Sequence, residues 1–577
     1  MVTTTNMSRI VQLHIKNFRR FADATFSFGN DRIVCLVGRG DSGKSTILDA
    51  LYCVLAPSRS LSFCDADFHF GKTSEPIVIE CVVVDPPETL LSLNKFGTYL
   101  SGFNQTTGEL SDATDDQSTN AICVRLTVGS DLEPIWEVVN QTSKESIRFG
   151  YGDRSKLNVV HIADFVNRHF GFSEGTPLAR MMRSSDTQVD TSSVVSALRE
   201  AKDRIDSHPF SEMSSTLQSI VSSAKELGID VDGLKPSIDA KALLVRDGGL
   251  CLHDGTKVPL RMRGKGSRRI LSFAIQTALS GNSTITLIDE IEQGLEPDRA
   301  AWLAHMIKAN DWGQVFMTTH SASVVKELTA TDIFLLSDAG ELRHLSAAVQ
   351  GLIRKAPEFL FGKRIILCEG ATEVGVVRGI GEAARKAGRC PFSLSGTVVV
   401  DGGGSQFFDY AKHLNSLGIP LRVICDSDRK DCDTKVQELE SQGITVFKWE
   451  DGDALEDAVF RNVSNEAVSR IIRLYDELDK HDSDCERNQI VSEETIQDVR
   501  LAIPSFDASW LDGRHEWTIE ERRSLGKCAK AKNNSWFKRI DKGERLGMLL
   551  AEILPTLPEG NILRRHFTAI EAWGCHA

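Results

Sequence analysis

Gly38-Arg39-Gly40-Asp41-Ser42-Gly43-Lys44-Ser45 fits the phosphate-binding pattern GxxxxGK[ST], and the residues on either side decide how it is read. An apolar run, Ile33-Val34-Cys35-Leu36-Val37, precedes it, and a helical pattern, Thr46-Ile47-Leu48-Asp49-Ala50-Leu51, follows. Strand, glycine loop and helix in that order aim backbone N–H groups and the positive end of a helix at a phosphate. Lys44 is then placed for the β- and γ-phosphates, and the Ser45 hydroxyl for Mg²⁺. A chance glycine turn has no reason to carry both flanks. Residues Gly38 to Thr46 are therefore expected to bind ATP or GTP.

The chain has 577 residues, too many for one core, and should divide into about three or four domains. Hydrophobic content of 41% and charged content of 25% describe an ordinary globular protein. No apolar run approaches the ~18 residues that span a bilayer, and Met1 to Ile10 lacks the apolar core of a secretory signal. Thirteen cysteines without a CxxC pair suggest neither a zinc ribbon nor a disulfide framework. A reducing cytoplasm fits best. The formal charge of −13 does not advertise nucleic-acid binding, although Arg261 to Arg269 and Arg522 to Lys542 are locally basic.

Strand-like runs occur at Val11 to Ile15, Ala24 to Phe28, Ile77 to Val84, Ala121 to Val128 and Ile135 to Val139. Gly97 to Ser118, rich in Gly, Ser, Thr and Asp, reads as loop. Strand signals vanish from Ile162 to Ile238, which reads as a helical insertion.

The apolar strand Ser283 to Ile288 ends in Asp289-Glu290, where an aspartate can hold the water shell of Mg²⁺ and a glutamate can polarise the attacking water. An acidic helix cap is the plain alternative. The next strand, Val315 to Thr319, ends at His320, a position from which a γ-phosphate can be sensed. Between the two halves, Gly264-Lys265-Gly266-Ser267 precedes the helical run Ile270 to Leu279 and suits a phosphate held by another subunit. In this order the elements resemble ABC-type ATPase heads of the structural-maintenance and recombination-repair group. No clear glutamine follows the first helix as the usual metal-contacting residue; His69 is the stand-in.

A second α/β pattern begins at Arg364. Strand Arg364 to Cys368 ends in Glu369, with Glu373 one helical turn on, and strand Leu421 to Cys425 ends in Asp426-Ser427-Asp428. Strands alternating with helices imply a parallel sheet whose carboxyl ends gather functional groups. Carboxylates converging there repel one another unless cations neutralise them, and oxygen ligands suit Mg²⁺ or Mn²⁺. Glu456, in Asp453-Ala454-Leu455-Glu456-Asp457, is a further candidate ligand, with an exposed acidic helix start as the alternative. Near the end, Lys538 is the preferred lysine to steady charge on a cleaved phosphodiester and Lys542 the runner-up.

EGxxE…DxD in this setting is the pattern of a Toprim domain. An ABC-type ATPase followed by Toprim resembles the OLD (overcoming lysogenization defect) family of ATP-dependent endonucleases, which includes the Gabija nuclease subunit and retron-associated nucleases. The resemblance implies an α/β fold with a head at 1–161 and 239–345, a dimerising helical insertion at 162–238, and a Toprim domain with helical additions at 346–577. It implies DNA as substrate, a homodimer or larger assembly, defence against phage, and a helicase or retron reverse transcriptase as candidate partners. Its metal ligands fall on Glu369, Glu373, Asp426, Asp428 and Glu456, and its ATPase makes a gate for cutting. A topoisomerase would need a tyrosine in a basic winged-helix setting and a primase a zinc finger; neither is evident. A repair-type ATPase with a non-catalytic Toprim scaffold remains the competing reading.

Overall fold

The computed structural model describes residues 7–162, 200, 204 and 260–576, apart from 59–60, 93, 112–117, 142, 281–284, 311, 430, 451, 481–490 and 532–534. The expected insertion at 162–238 lies, beyond its first residue, almost wholly outside the described residues. Two compact units are distinguished, residues 1–35 with 43–324 and residues 36–42 with 325–577.

The strands of the first part are β1 (Arg9–Phe18), β2 (Phe21–Ser27), β3 (Ile33–Val37), β4 (Ile77–Val84), β5 (Ser101–Asn104), β6 (Leu110–Ser111), β7 (Ser118–Val128), β8 (Pro134–Val139), β9 (Ser146–Arg148), β10 (Val159–Ile162), β11 (Ile285–Ile288) and β12 (Gln314–Thr318). Its longer helices are α1 (Lys44–Leu55), α2 (Lys265–Ser280) and α3 (Pro297–Ala309). An antiparallel sheet takes the order β2-β1-β4-β7-β5-β6, with β8 on β7 and β9 on β8. The segment 97–118, expected to be loop, contains β5 and β6. Its polar residues hid a short hairpin whose turn is closed by the Asn104 side chain accepting from Thr106 and Thr107 N–H, and whose Phe103 is buried.

Parallel strands β10, β11 and β12 belong to a six-stranded sheet, β10-β11-β12-β3-β13-β14, where β13 is Ile333–Leu336 and β14 is Leu342–His344. Every residue of β3 and β12 is buried, as expected of strands covered on both faces. Two polar side chains tie this unit together. Buried Gln314 spans the Ile10 N–H at 2.7 Å, the Ile10 carbonyl at 2.9 Å and the Asp31 carbonyl at 3.0 Å. Arg32 donates to the carbonyls of Ile307, Lys308 and Asn310, placing a cation on the carbonyl end of α3.

In the second unit β15 (Arg364–Cys368), β16 (Thr397–Asp401), β17 (Leu421–Cys425) and β18 (Thr445–Lys448) form a parallel sheet in the order β16-β15-β17-β18. Helices α4 (Ala371–Lys386), α5 (Phe407–Ser416) and α6 (Cys432–Ser441) alternate with these strands. Beyond them lie α7 (Leu455–Asn462), α8 (Asn465–Lys480), α9 (Glu493–Ala502), α10 (Ile519–Ala529), α11 (Ile540–Ile553) and α12 (Ile562–Gly574).

Helices α4 and α11 touch backbone to backbone because each carries two glycines four residues apart. A Cβ on Gly379 would sit 2.1 Å from the Glu544 carbonyl oxygen, and one on Gly547 2.1 Å from that of Val376. Gly375 and Gly543 meet in the same way one turn earlier. Farther along, fully buried Trp536 stacks on Tyr475 of α8 (4.4 Å, 6°) and meets Phe460 of α7 edge-on. Its backbone N–H donates to the Ala529 carbonyl at 2.9 Å, tying it to the end of α10. The long C-terminal helices thus rest on close glycine contact and one aromatic pin.

Candidate nucleotide and metal sites

The phosphate loop has the backbone its sequence asks for. Gly38 (φ 143°), Asp41 (φ 58°) and Gly43 (φ 105°) lie at positive φ, the first and last being glycines, which adopt it without strain. Space is also restricted: a Cβ on Gly38 would meet the Leu336 carbonyl oxygen at 2.5 Å, and one on Gly43 the Phe21 ring at 2.7 Å. Ser42 and Lys44 are buried, Gly40 opens to space, and Arg39 pairs with Asp338 at 3.7 Å.

Ser45 donates to Asp289 Oδ1 at 3.0 Å, and Thr318 donates to the same oxygen at 2.7 Å. Asp289 thereby links the start of α1 to the ends of β11 and β12. Glu290 has φ 46°, unusual for a non-glycine, and its N–H donates to Thr318 Oγ1 at 2.7 Å. His320 donates its backbone N–H to Glu292 at 2.6 Å. Burial holds its imidazole below the usual pKa, Lys44 adding to the effect against the carboxylates of Glu292, Glu290 and Asp289. Lys44, Asp289, Glu290 and His320 therefore share one electrostatic neighbourhood, and Thr46 follows in α1.

Helix α2 begins at Lys265, so the expected glycine turn is its first helical turn. Gly266 packs against Gly294, where a Cβ would lie 2.2 Å from the carbonyl oxygen. Arg269 is buried and donates to Gln293 at 2.7 Å and to the Asp289 carbonyl, so this basic residue braces the loop after β11. His69 binds the Arg19 carbonyl through Nδ1 at 2.8 Å. A histidine that the sequence reading passed over, His161 on β10, lies against the Tyr52 ring at a tilt of 35°, is held below its usual pKa by burial, and has a buried Nε2 without a partner. Its strand went unrecognised, and with it the strand-end histidine.

At the carboxyl edge of the second parallel sheet the acidic residues converge. Register Cys368↔Ile424 sets Glu369 beside Asp426, whose N–H donates to Glu369 Oε2 at 3.1 Å. Asp426 Oδ1 accepts from the Leu455 N–H at 2.9 Å, drawing the start of α7 to the same place. Glu456 accepts from Thr372 Oγ1 at 3.1 Å. Glu373 and Glu456 are buried, whereas the Asp428 side chain is 44% exposed.

Charge is in excess there. Burial, then Glu456 and Glu369, push Glu373 up to about 7. Asp426 is raised well above the usual carboxylate range by burial and by Glu373, Glu456 and Glu369. Burial likewise raises Glu369 and Glu456. Among the described residues no three His, Cys, Asp or Glu side chains stand in a ready-made ligand cage. Glu369 and Asp426 each accept from a backbone N–H, Glu456 from a hydroxyl, and Asp428 lies near a lysine. The candidate ligands are nonetheless all oxygen donors, two of them buried, and they are under-neutralised, which suits a hard divalent cation.

The lysine beside the acids is Lys530. It stands 2.5 Å from buried Asp457 and 3.9 Å from Asp428; burial opposes its charge, but Asp457, Asp428 and Asp426 raise its pKa overall. Lys538, the preferred lysine of the sequence reading, is exposed just after buried Phe537. Trp536-Phe537 is core, and it closes the loop that begins at Lys530.

Residues 9–160 match the family described as an AAA ATPase domain, and 143–326 match AAA domain, putative AbiEii toxin, Type IV TA system. Residues 360–428 match the overcoming lysogenization defect protein-like TOPRIM domain. Endonuclease GajA of Bacillus cereus (strain VD045) is 21% identical over 446 residues, 72% of this chain and 74% of that protein. Among solved structures, the Smc head domain of Pyrococcus furiosus is 15% identical, with 57% of this chain and 93% of that one covered at a TM-score of 0.30. The recombination mediator RecF with ATP is 12% identical, with 60% and 100% covered at a TM-score of 0.32. The chain thus joins AAA-type ATPase regions to an OLD-like Toprim domain.

Proposed function

We propose that this OLD-like chain is an ATP-regulated, divalent-metal-dependent DNA endonuclease that nicks or cleaves DNA in defence against phage. The observation that carries the reading is the convergence of Glu369, Glu373, Asp426 and Glu456 at one sheet edge, with Lys530 alongside. Mg²⁺ or Mn²⁺ would be held by these carboxylates with Asp428, and would supply Lewis acidity toward a phosphodiester. Lys530, fixed by Asp457, is poised to donate to phosphate oxygens as charge grows there. In the nucleotide site, Lys44 and the N–H groups of the loop would hold the phosphates of ATP. Ser45 and Asp289 would hold its Mg²⁺, and Glu290 would orient the attacking water.

The repair-type ATPase with a non-catalytic Toprim scaffold draws on one observation, that the carboxylates are not gathered into a cage as they stand. Incubating the purified full chain with supercoiled DNA and Mg²⁺ or Mn²⁺, with and without ATP, separates the two. The nuclease reading expects metal-dependent nicking that responds to ATP and disappears in Glu369→Ala. Undiminished cutting by Glu369→Ala would assign the activity to a contaminant and favour the scaffold. A homodimer or larger assembly in the cytoplasm completes the proposal; no helix among the described residues is long and apolar enough to cross a membrane.

A further inference from the structure

Lys530 and Arg429 both approach the acidic edge, and they are held differently. Lys530 is anchored on Asp457, which is itself fixed by the Ala454 N–H at 3.1 Å and is not one of the candidate ligands. Arg429 leans on a candidate ligand directly: its Nη1 lies 3.5 Å from Glu369 Oε1. The same Nη1 donates to the Gly404 carbonyl at 3.2 Å, Nε lies 3.6 Å from Asp431, and the guanidinium rests over Phe408 at 5.8 Å. These contacts are longer than the 2.7–2.9 Å of strong charge-assisted bonds and none is bidentate. The side chain is 29% exposed, so part of the guanidinium already faces solvent.

Resting on the nuclease reading above, we infer that Arg429 is a positioning residue that neutralises Glu369 until a divalent cation takes that carboxylate, and that its guanidinium then passes to a DNA phosphate. A cation and a guanidinium compete for Glu369 Oε1, and their like charges repel across a short, partly buried gap. A guanidinium freed in this way has the planar fork that fits phosphate bidentately, and it remains on the loop carrying Asp426 and Asp428. The Gly403-Gly404 turn, both residues at φ 72°, leaves open space at Gly404 beside the group to be released.

The test uses the full chain, Mn²⁺ followed by electron paramagnetic resonance, and a duplex oligonucleotide followed by fluorescence anisotropy in Ca²⁺. R429Q should bind Mn²⁺ about tenfold more tightly than the parent, since removing one like charge at this range is worth at least that much. It should also lose most of the cation-dependent gain in duplex affinity. R429K, which keeps the charge and lacks the fork, should bind Mn²⁺ as the parent does and fail to restore the duplex gain. Mn²⁺ affinity in R429Q equal to or weaker than the parent's overturns the inference, as does full duplex binding by R429K. R429M serves the same titrations should R429Q not fold, circular dichroism reporting on both. E369A separates the two levels: unchanged Mn²⁺ binding by E369A removes the nuclease reading itself. Lost binding by E369A without a gain in R429Q removes only the role of Arg429.

Discussion

The phosphate loop and the Toprim edge both lie at the ends of parallel strands, yet they are built from different materials. The loop is mostly backbone: Gly38 and Gly43 supply conformations and clearances that a Cβ would spoil, within eight consecutive residues. The acidic edge is side chain, gathered from β15, β17 and α7 and braced by helices a hundred residues away. A backbone site announces itself locally, whereas a side-chain site depends on scaffolding whose sequence carries no chemical signature.

If that contrast holds, remote scaffold changes should harm the acidic edge and spare nucleotide binding. The largest effect is expected from Gly547→Val, which drives a branched side chain into the Val376 carbonyl. Overpacking against backbone should cost about 3 kcal/mol or more, read as a loss of the native circular-dichroism melt. Trp536→Ala should cost a comparable amount, about 3–5 kcal/mol for a buried aromatic, measured by urea unfolding. Lys530→Ala should reduce cutting by about 10²-fold or more, as for loss of one preorganised donor, and should also lower the melting temperature because buried Asp457 loses its partner. Lys538→Ala should change cutting little. Equal effects from the two lysines would erase the distinction drawn between them.

The smallest effect concerns acid stability. Burial against Phe447 and Trp449 holds His566 at about 4, below its ordinary 6.5. Above pH 6.5 the folded and unfolded chains are both neutral there. As pH falls from 6.5 toward about 4 the unfolded chain takes up the proton first, so folding stability is lost across that window. His566→Phe should flatten the decline in chemical-denaturation midpoint over the same range; an unchanged slope would show that other groups govern it.

How much was legible follows the same division. The loop, the two strand-end acids Asp289 and Glu369, and Asp426 were readable because apolar strands run straight into them. His320 was readable for the same reason. β5 was missed because polar residues mask its short hairpin with β6, and β10 because it is short and pairs with distant β11; His161 was missed with β10. Lys530 was not legible because its place depends on Trp536 closing a loop and on Asp457 being buried, both tertiary facts. The glycines of α4 and α11 were visible as letters, but their spacing acquires meaning only when the two helices meet.

Anomalous diffraction from Mn²⁺-soaked crystals of the full chain would test the acidic edge most directly. A peak enclosed by the carboxylates of Glu369, Glu373 and Asp426, and lost in Glu369→Ala, is the expected result. Nicking-competent protein whose manganese peak lies elsewhere, with these carboxylates still bound only to protein donors, would contradict the account.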